Sequence, residues 1–205
     1  MGERFRSAEL KVSEKTDSKK KLIIEKATDV FATKGFRNVT MKDIVEACEI
    51  SRGGLYLYYS STEEVFLDVL KTLDEKESSG RDMGKMLEES SISELILWFI
   101  KEQKKEIVRN KTSLQVAKFE YSFYCKEQGK DAVFKEEFDT AVKVLQMLLE
   151  RGVESGEISC VSPRAVASST MYALEGLKLA AISCDLSEKK IDAELVYLMR
   201  QFMEV

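Results

Sequence analysis

The stretch VTMKDIVEACEISRGGLYLYYSSTEEV, residues 39–65, decides the fold of this chain. Thr40 and Asp43 fit the capping-box pattern, in which a Thr and an acidic residue three positions later each accept a hydrogen bond from a free backbone N–H at a helix start. A first short helix is therefore predicted to begin after Thr40. Ser51 is a good N-cap for a second helix, which is predicted over residues 52–59.

Two short helices joined by a tight turn, with another helix close behind, have the layout of a helix-turn-helix unit, whose second helix enters the DNA major groove. The helix that follows is predicted to start at a second capping pattern, residues 61–64. Upstream, residues 18–34 are predicted to form a helix that ends before Gly35, a residue type suited to a left-handed C-cap. Its apolar stripe consists of Ile23, Ala27, Val30 and Phe31.

Composition indicates an ordered, almost entirely helical protein. The chain has 205 residues, of which 44% are hydrophobic and 33% charged, and it contains one proline. The longest apolar run, residues 95–100, is far shorter than the roughly eighteen residues needed to span a membrane. The N-terminal residues carry charges with no apolar block behind them, so we expect no signal peptide, no membrane partner and a cytoplasmic location.

The residue types needed for most catalysis and metal binding are missing or scattered. The chain has no histidine, which removes the commonest general base and metal ligand. It also lacks a Gly-rich phosphate loop and a carboxylate pair on a shared face. The wide spacing of the four cysteines argues against a disulfide framework or zinc site and favours small buried hydrophobes. They are Cys48, Cys125, Cys160 and Cys184. We therefore expect no enzyme activity, metal or cofactor.

The distribution of charge favours a nucleic-acid partner only mildly. The net charge is −4. Residues 1–66 hold 12 Lys/Arg against 11 Asp/Glu, whereas residues 67–205 hold 20 against 25. Residues 1–17 alternate charged and small residues, so we expect a flexible arm there. The basic cluster Lys19–Lys21 has two open interpretations, a solvated helix face or an arm that contacts DNA phosphates.

Beyond the DNA-binding domain, residues 18–66, the chain is predicted to form a second helical domain over residues 67–205. The fold class is therefore all-α, with about nine helices. The later helices are predicted over residues 62–77, 93–109, 112–128, 132–154 and 163–182, with a last one capped by Ser187. The run at residues 95–100 is apolar on all sides and predicts a central helix.

A specific order of residue types runs through the first part of the chain. It consists of Phe31, Gly35-Phe36, Thr40-Met41-Lys42-Asp43-Ile44, Ala47, Ile50-Ser51-Arg52-Gly53-Gly54-Leu55-Tyr56, Tyr59 and Ser61-Thr62-Glu63-Glu64. This order resembles the N-terminal domain of the TetR/AcrR family of transcriptional repressors. The match covers about residues 20–66, and residue types, spacing and distance from the N-terminus all agree. The rest of the chain resembles that family only in length and helix number.

The resemblance implies a homodimer that binds a near-palindromic double-stranded DNA operator, with one helix-turn-helix per half-site. It also implies that a small lipophilic effector enters the C-terminal helical domain and releases the operator. The function implied is thus a ligand-responsive transcriptional regulator, most often a repressor. The alternative is a DNA-binding dimer without a small-molecule ligand, regulated by a protein partner.

The resemblance, together with residue type and position in the helix-turn-helix, predicts the DNA-binding residues. They are Thr40, Lys42, Arg52, Gly53, Tyr56, Tyr58 and Lys21. Arg52 has the geometry to pair with guanine O6 and N7. Thr40 serves both as a helix cap and as a phosphate contact in this interpretation. Three positions depart from the family pattern and remove usual backbone contacts: Gly54, Leu57 and Thr62. For Leu57, thymine contact and packing both remain open.

The C-terminal residues are assigned by the same resemblance. Aromatic and Met side chains expected to line the effector pocket are Trp98, Phe119, Phe123, Phe138, Met147 and Tyr172. The dimer interface is expected on the last two helices, at Met171, Leu174, Leu195, Leu198 and Phe202. Glu120 lies among aromatic residues and is predicted either to be exposed or, if buried, to bind a cationic ligand.

Overall fold

The structure is a computed structural model that describes residues 2–78, 86, 89–109, 114–130 and 133–201. Within those residues it contains nine helices and no strand, which confirms the all-α prediction. The helices are α1 Gly2–Lys34, α2 Met41–Cys48, α3 Arg52–Tyr56, α4 Thr62–Ser78, α5 Ile92–Arg109, α6 Gln115–Glu127, α7 Val133–Ser155, α8 Pro163–Ser183 and α9 Glu188–Met199. None of these helices is long and apolar enough to cross a membrane.

Two helix boundaries differ from the sequence prediction. Helix α1 begins at Gly2, where a flexible arm was expected, because residues 3–17 contain many good helix formers and no proline. Helix α3 ends at Tyr56, three residues early. Its last turn tightens, with the Tyr58 N–H donating to the Leu55 carbonyl at 2.9 Å.

Contacts divide the chain into two compact units. The N-terminal unit comprises Met1–Gly80 together with Val116–Tyr121, and the C-terminal unit comprises Arg81–Gln115 and Ser122–Val205. Helix α6 therefore contributes its first residues to the unit that carries the helix-turn-helix. The sequence prediction placed all of α6 in the second domain.

An aromatic cluster forms the centre of the N-terminal unit. The Phe31 and Phe66 rings meet edge to face with their centroids 4.8 Å apart, and Phe66 lies 5.3 Å from Tyr121. Phe36 lies 4.8 Å from Tyr121 in the same edge-to-face geometry. Such pairs contribute about 1 kcal/mol each beyond the area they bury. The cluster joins α1, the α1–α2 turn, α4 and α6.

The start of α2 is fixed by the capping box that the sequence predicts. The Asp43 N–H donates to Thr40 Oγ1 at 3.3 Å, and the Thr40 N–H donates to Asp43 Oδ2 at 2.8 Å. Lys34 extends this network, with its Nζ 2.6 Å from Asp43 Oδ1. The hydrogen bond from Lys34, followed by those from Thr40, holds the pKa of Asp43 well below its ordinary value.

The core of the C-terminal unit lies between α5, α7, α8 and α9. Its fully buried members include Ile96, Leu145, Leu149 and Leu174. The last helix contributes Ile191, Leu195 and Leu198 to this core. The apolar run predicted to mark a central helix lies in this core, since Leu95, Ile96 and Ile100 of α5 are buried, although Leu97 is 36% exposed.

A buried polar cluster interrupts this apolar core. Lys178 is only 7% exposed, and its Nζ lies 2.8 Å from carboxylate oxygens of both Glu106 and Glu175. Burial alone would lower the pKa of Lys178, but the two carboxylates outweigh it and raise the pKa. Gln103 Oε1 and Glu175 Oε2 are buried without a hydrogen-bond partner. Both are acceptors, so each needs a donor to offset its loss of water.

The cysteines carry no disulfide among the described residues. Cys48 and Cys125 are buried, as the sequence analysis expects, and Cys160 is partly buried. Cys184 is exposed, which corrects the expectation of four buried thiols, because it lies at the C-terminal end of α8 beyond the core stripe.

Replacing Asp43 by alanine should lower the free energy of unfolding by about 1 kcal/mol at pH 7, because the carboxylate half of the capping box and the ion pair with Lys34 are lost, while the backbone N–H of residue 43 still donates to Thr40. The folded pKa of Asp43 lies below its ordinary value of 3.8. The contribution is therefore complete above about pH 4 and is lost as the pH falls through the folded pKa. Urea unfolding of both proteins at pH 7 and pH 3 should show the smaller difference at pH 3.

Asp29→Ala is the matched control for that experiment, because Asp29 is an exposed carboxylate on α1 close to the same site. It should leave stability almost unchanged at both pH values. A loss for Asp43→Ala that matches the loss for Asp29→Ala would contradict the capping role.

Candidate nucleic-acid interface

Helix α3 presents one outward face and one inward face. Ser51 caps it, with its Oγ accepting a hydrogen bond from the Gly54 N–H at 3.1 Å. The four-residue spacing of Leu55 and Tyr59 predicts that both face the core, and both are buried. Arg52 and Tyr56 are four residues apart on the other side, and the Arg52 guanidinium carbon lies 5.4 Å from the Tyr56 ring centroid. This contact orients an exposed cation beside an exposed ring.

The turn between α2 and α3 depends on an unusual backbone conformation. Glu49 caps α2 at φ 54, in the left-handed region. A residue with a Cβ pays on the order of 1 kcal/mol for this conformation. Two hydrogen bonds close the turn, from the Glu49 N–H to Glu46 and from the Ile50 N–H to Val45. A tight turn is predicted between the two short helices, but the left-handed conformation of Glu49 is not.

The segment after α3 is held by a three-residue network that the sequence analysis missed. The Tyr59 hydroxyl donates to Asp68 Oδ2 at 2.6 Å, and Lys20 Nζ lies 2.8 Å from the same oxygen. Burial and then the hydrogen bond with Asp68 raise the pKa of Tyr59. Burial alone would raise the pKa of Asp68, but the hydrogen bonds from Lys20 and Tyr59 outweigh it and lower the pKa. The network ties α1 and α4 to the end of α3.

The three lysines of the basic cluster on α1, Lys19–Lys21, therefore differ in their contacts. Lys20 is committed to Asp68 and also lies 5.6 Å from the Tyr59 ring centroid. Lys21 is exposed and has no ion pair among the described residues. Its assignment as a DNA contact stays a prediction. Lys19 is exposed as well and lies beside α3.

Thr40, Lys42 and Gly53 occupy different environments. The Thr40 N–H and hydroxyl both donate to Asp43, at 2.8 Å and 2.7 Å. Its cap role is thus confirmed, and its contact with a phosphate stays a prediction. The Lys42 side chain is 82% exposed and lies 3.7 Å from Glu46, a loose surface pair. A Cβ added at Gly53 would meet nothing within 4 Å, so the backbone there is open to close approach.

Two of the three departures from the family pattern shape the outer face of α3. Leu57 is 84% exposed, which excludes packing within its own chain. Of the two alternatives, contact with thymine remains. Gly54 lies close to the cap, since an added Cβ would come within 3.2 Å of Ser51 Oγ and 3.9 Å of Ile50.

Glu120 and Tyr121 complete the N-terminal unit from a distant part of the sequence. The Glu120 carboxylate accepts a hydrogen bond from the Arg37 N–H at 2.9 Å. It lies over Gly35, where φ is +76 and where a Cβ would come within 2.5 Å of Glu120 Oε2. The Tyr121 hydroxyl lies 3.2 Å from a Glu63 carboxylate oxygen. The Glu120 side chain is thus partly buried against the backbone. It is neither fully exposed nor a buried site for a cationic ligand, which were the two alternatives predicted from the sequence.

The predicted effector-pocket residues lie in different surroundings. Phe138 and Tyr172 stack with centroids 5.2 Å apart, and Trp98 packs against the C-terminal core. Three of the set are too exposed to line an enclosed cavity within one chain: Phe123, Met147 and Tyr172. Phe119 belongs to the N-terminal unit instead. The helical period of the sequence shows which apolar residues share a side of a helix. It does not show which side packs against other helices.

The predicted dimer-interface residues need a similar correction. Four of them are buried in the core of their own chain: Met171, Leu174, Leu195 and Leu198. Phe202 lies outside the described residues. The buried side of α8 and α9 is thus already covered, and the opposite side of these helices carries the exposed apolar residues. Those residues are Tyr172, Leu179 and Tyr197.

Two family models match the chain. Residues 23–69 match the family of bacterial regulatory proteins, tetR family, and residues 95–192 match the tetracyclin repressor-like C-terminal domain. The first covers α2, α3 and most of the aromatic cluster. The second spans the C-terminal core from α5 into α9.

Similar proteins agree with these models. The HTH-type transcriptional regulator YfiR from Bacillus subtilis (strain 168) is 34% identical over 154 residues, which are 74% of each chain. A TetR family regulator from Agrobacterium tumefaciens has a similar structure, with a TM-score of 0.71, 16% identity, and coverage of 92% of this chain and 99% of that one. A regulator from Saccharomonospora viridis, solved in complex with choline, has a TM-score of 0.66, 14% identity, and coverage of 92% and 100%.

The helix-turn-helix geometry, the two family models and the identity with the Bacillus regulator all lead to one assignment. The chain belongs to the TetR family of bacterial regulatory proteins and is a DNA-binding transcriptional regulator, not an enzyme.

Proposed function

We propose that this regulator is a ligand-responsive repressor that binds a near-palindromic operator as a homodimer and is released by a small molecule. The observation that carries the proposal is the outward face of α3, where Arg52 and Tyr56 stand on a capped helix whose opposite side is buried. A helix presented in this way reads base edges in the major groove.

Arg52 is the residue best suited to specify a base. A guanidinium pairs with guanine O6 and N7 through two hydrogen bonds, each such pairing contributing about 1–3 kcal/mol of discrimination. The contact with the Tyr56 ring limits the conformations of Arg52 before DNA binds, which lowers the entropy lost on binding. Tyr56, 43% exposed, offers its ring to a thymine methyl and its hydroxyl to a phosphate.

The polar cluster of the C-terminal unit supports a small-molecule effector. Gln103 Oε1 and Glu175 Oε2 are buried acceptors without partners, and Lys178 between Glu106 and Glu175 leaves the cluster with a net negative charge. A lipophilic molecule that carries a hydrogen-bond donor, such as an ammonium group, suits this environment. The Saccharomonospora viridis regulator with choline bound has the same fold and lends support to a cationic ligand.

The exposed side of α8 and α9 supports a contact with a second copy. Tyr172, Gly176 and Leu179 follow one another at helical spacing on α8, and Tyr172 and Leu179 are 67% and 53% exposed. Tyr197 on α9 is 67% exposed. Large apolar side chains on the outer surface of two core helices are typical of an interface between protein chains.

Arg52→Ala and Tyr56→Ala should each weaken operator binding by about 10-fold or more, because each loses a contact to DNA. Both should remain dimers, since neither residue lies in the core. Gel-shift titration on a fragment that the wild-type protein selects from a random-sequence pool measures affinity, and size exclusion measures the oligomeric state. Wild-type affinity in both variants would contradict the assignment.

Leu179→Glu should convert the dimer to monomer, because it places a charge on the outer surface of α8 while leaving the core intact. Val161→Glu is the matched control, since Val161 is fully exposed in the α7–α8 connection. Sedimentation velocity distinguishes the two states. A dimeric Leu179→Glu protein would place the interface elsewhere.

A thermal-shift screen with lipophilic amines should raise the melting temperature of the wild-type protein, because ligand at 100 times Kd adds about 2.7 kcal/mol of stability. Gln103→Leu should lose the shift, whereas Gln128→Leu, at an exposed position after α6, should keep it. Absence of a shift with every compound would favour the alternative function, a DNA-binding dimer regulated by a protein partner.

A further inference from the structure

The hydroxyl group of Tyr59 lies in the interior of the N-terminal unit, where it cannot touch DNA. Tyr59 is only 4% exposed, and its hydroxyl donates to Asp68 Oδ2 on α4 at 2.6 Å. Replacing Tyr59 by phenylalanine would keep the buried ring and remove only this hydrogen bond. Any effect of the hydroxyl on operator binding must therefore act through other residues.

The backbone joins Tyr59 directly to the recognition helix α3. The Tyr59 N–H donates to the Leu55 carbonyl at 3.1 Å, and the Tyr58 N–H donates to the same carbonyl at 2.9 Å. These bonds continue the last turn of α3, so Tyr59 and the helix move together. The position of the Tyr59 side chain thus affects the direction in which α3 presents Arg52 and Tyr56.

Lys20 binds the same carboxylate from α1. Its Nζ lies 2.8 Å from Asp68 Oδ2 and 5.6 Å from the centroid of the Tyr59 ring. The Asp68 side chain is only 22% exposed, so water and salt screen this ion pair less than a pair on the open surface. One carboxylate oxygen of α4 therefore accepts a donor from α1 and a donor from the segment after α3.

We infer that Tyr59 and Lys20 are positioning residues for operator recognition, which hold α3 in one orientation on α1 and α4 through Asp68. The inference rests on the proposed role of the outward face of α3 in reading base edges. Lys20 then contributes to DNA binding without contacting a phosphate. When the bonds to Asp68 are lost, α3 samples several orientations, and the apparent Kd rises in inverse proportion to the fraction of molecules in the competent one.

Specific and non-specific binding respond differently to such a loss. Binding to DNA of any sequence depends on the attraction between basic side chains and phosphates, which needs no fixed orientation of α3. Recognition of base edges requires side chains of α3 within hydrogen-bond distance of those edges. A positioning role therefore lowers the ratio of operator affinity to non-specific affinity. A role in stability alone leaves that ratio unchanged as long as the protein is folded.

The test measures binding of the full-length protein to the fragment that the wild-type protein selects and to a scrambled fragment, by fluorescence anisotropy at several NaCl concentrations. Tyr59→Phe should weaken operator binding about 10-fold, the result expected when about a tenth of the molecules keep the competent orientation. Lys20→Met should weaken it about three-fold, since the bond from Tyr59 remains. Neither variant should change the affinity for the scrambled fragment.

The salt dependence separates a positioning lysine from one that contacts DNA. The slope of log affinity against log salt concentration falls by about 0.9 for each phosphate contact that is lost. Lys20→Met should leave this slope unchanged. Lys26→Met is the matched control, since Lys26 is another exposed lysine of α1, and it should change neither the slope nor the affinity.

A double-mutant cycle with Asp68→Ala tests whether both residues act through Asp68. In that background the shared partner is absent, so neither Lys20→Met nor Tyr59→Phe should weaken operator binding further. Lys20→Arg in the otherwise wild-type protein should keep nearly full affinity, because a guanidinium can bind the same carboxylate. Circular-dichroism melting shows whether each variant is folded at the temperature of the binding measurement.

Two results would overturn the inference. Wild-type operator affinity in a folded Tyr59→Phe protein would reduce the bond to a contribution to stability. A lower salt slope for Lys20→Met, or an equal loss with and without Asp68, would make Lys20 a direct phosphate contact; this second result decides even if Tyr59→Phe does not fold. Failure of the wild-type protein to select any fragment would instead contradict the proposed function.

Discussion

The aromatic cluster of the N-terminal unit is the interaction on which the rest of the DNA-binding surface depends. Helix α3 is five residues long and buries Leu55 alone, so it is too short to hold its own position. It packs against α2, α2 packs against α1, and Phe31 and Phe66 join α1 to α4 at the centre of the cluster. The bonds from Lys20 and Tyr59 to Asp68 then fix the chain as it leaves α3.

The same cluster draws α6 into the DNA-binding unit. Tyr121 contributes one of its four rings, and Glu120 binds the Arg37 N–H at the turn before α2. Helix α6 is continuous, and its later residues belong to the C-terminal unit. Glu120 and Tyr121 thus belong to the DNA-binding unit, although they come from a helix whose later residues lie in the C-terminal unit.

Local features of the fold could be predicted from the sequence, and long-range ones could not. The caps at Thr40, Ser51, Ser162 and Ser187 depend on residues three positions apart, so the sequence alone reveals them. The bond between Glu120 and Arg37 spans 83 positions and leaves no local pattern. The apolar periodicity of α9 indicates that Leu195 is buried. It does not distinguish burial in the core of the same chain from burial against a second chain. For the recognition helix, the inward face was predicted correctly because Leu55 and Tyr59 are four residues apart.

The most direct test of the account is protection of guanine N7 from methylation by dimethyl sulfate on the selected operator fragment. If Arg52 reads a guanine from the major groove, the wild-type protein should protect one guanine in each half-site. That guanine should become reactive again when Arg52→Ala is bound at saturating concentration. A fragment on which no guanine is protected, or on which Arg52→Ala gives the wild-type pattern, would contradict the account.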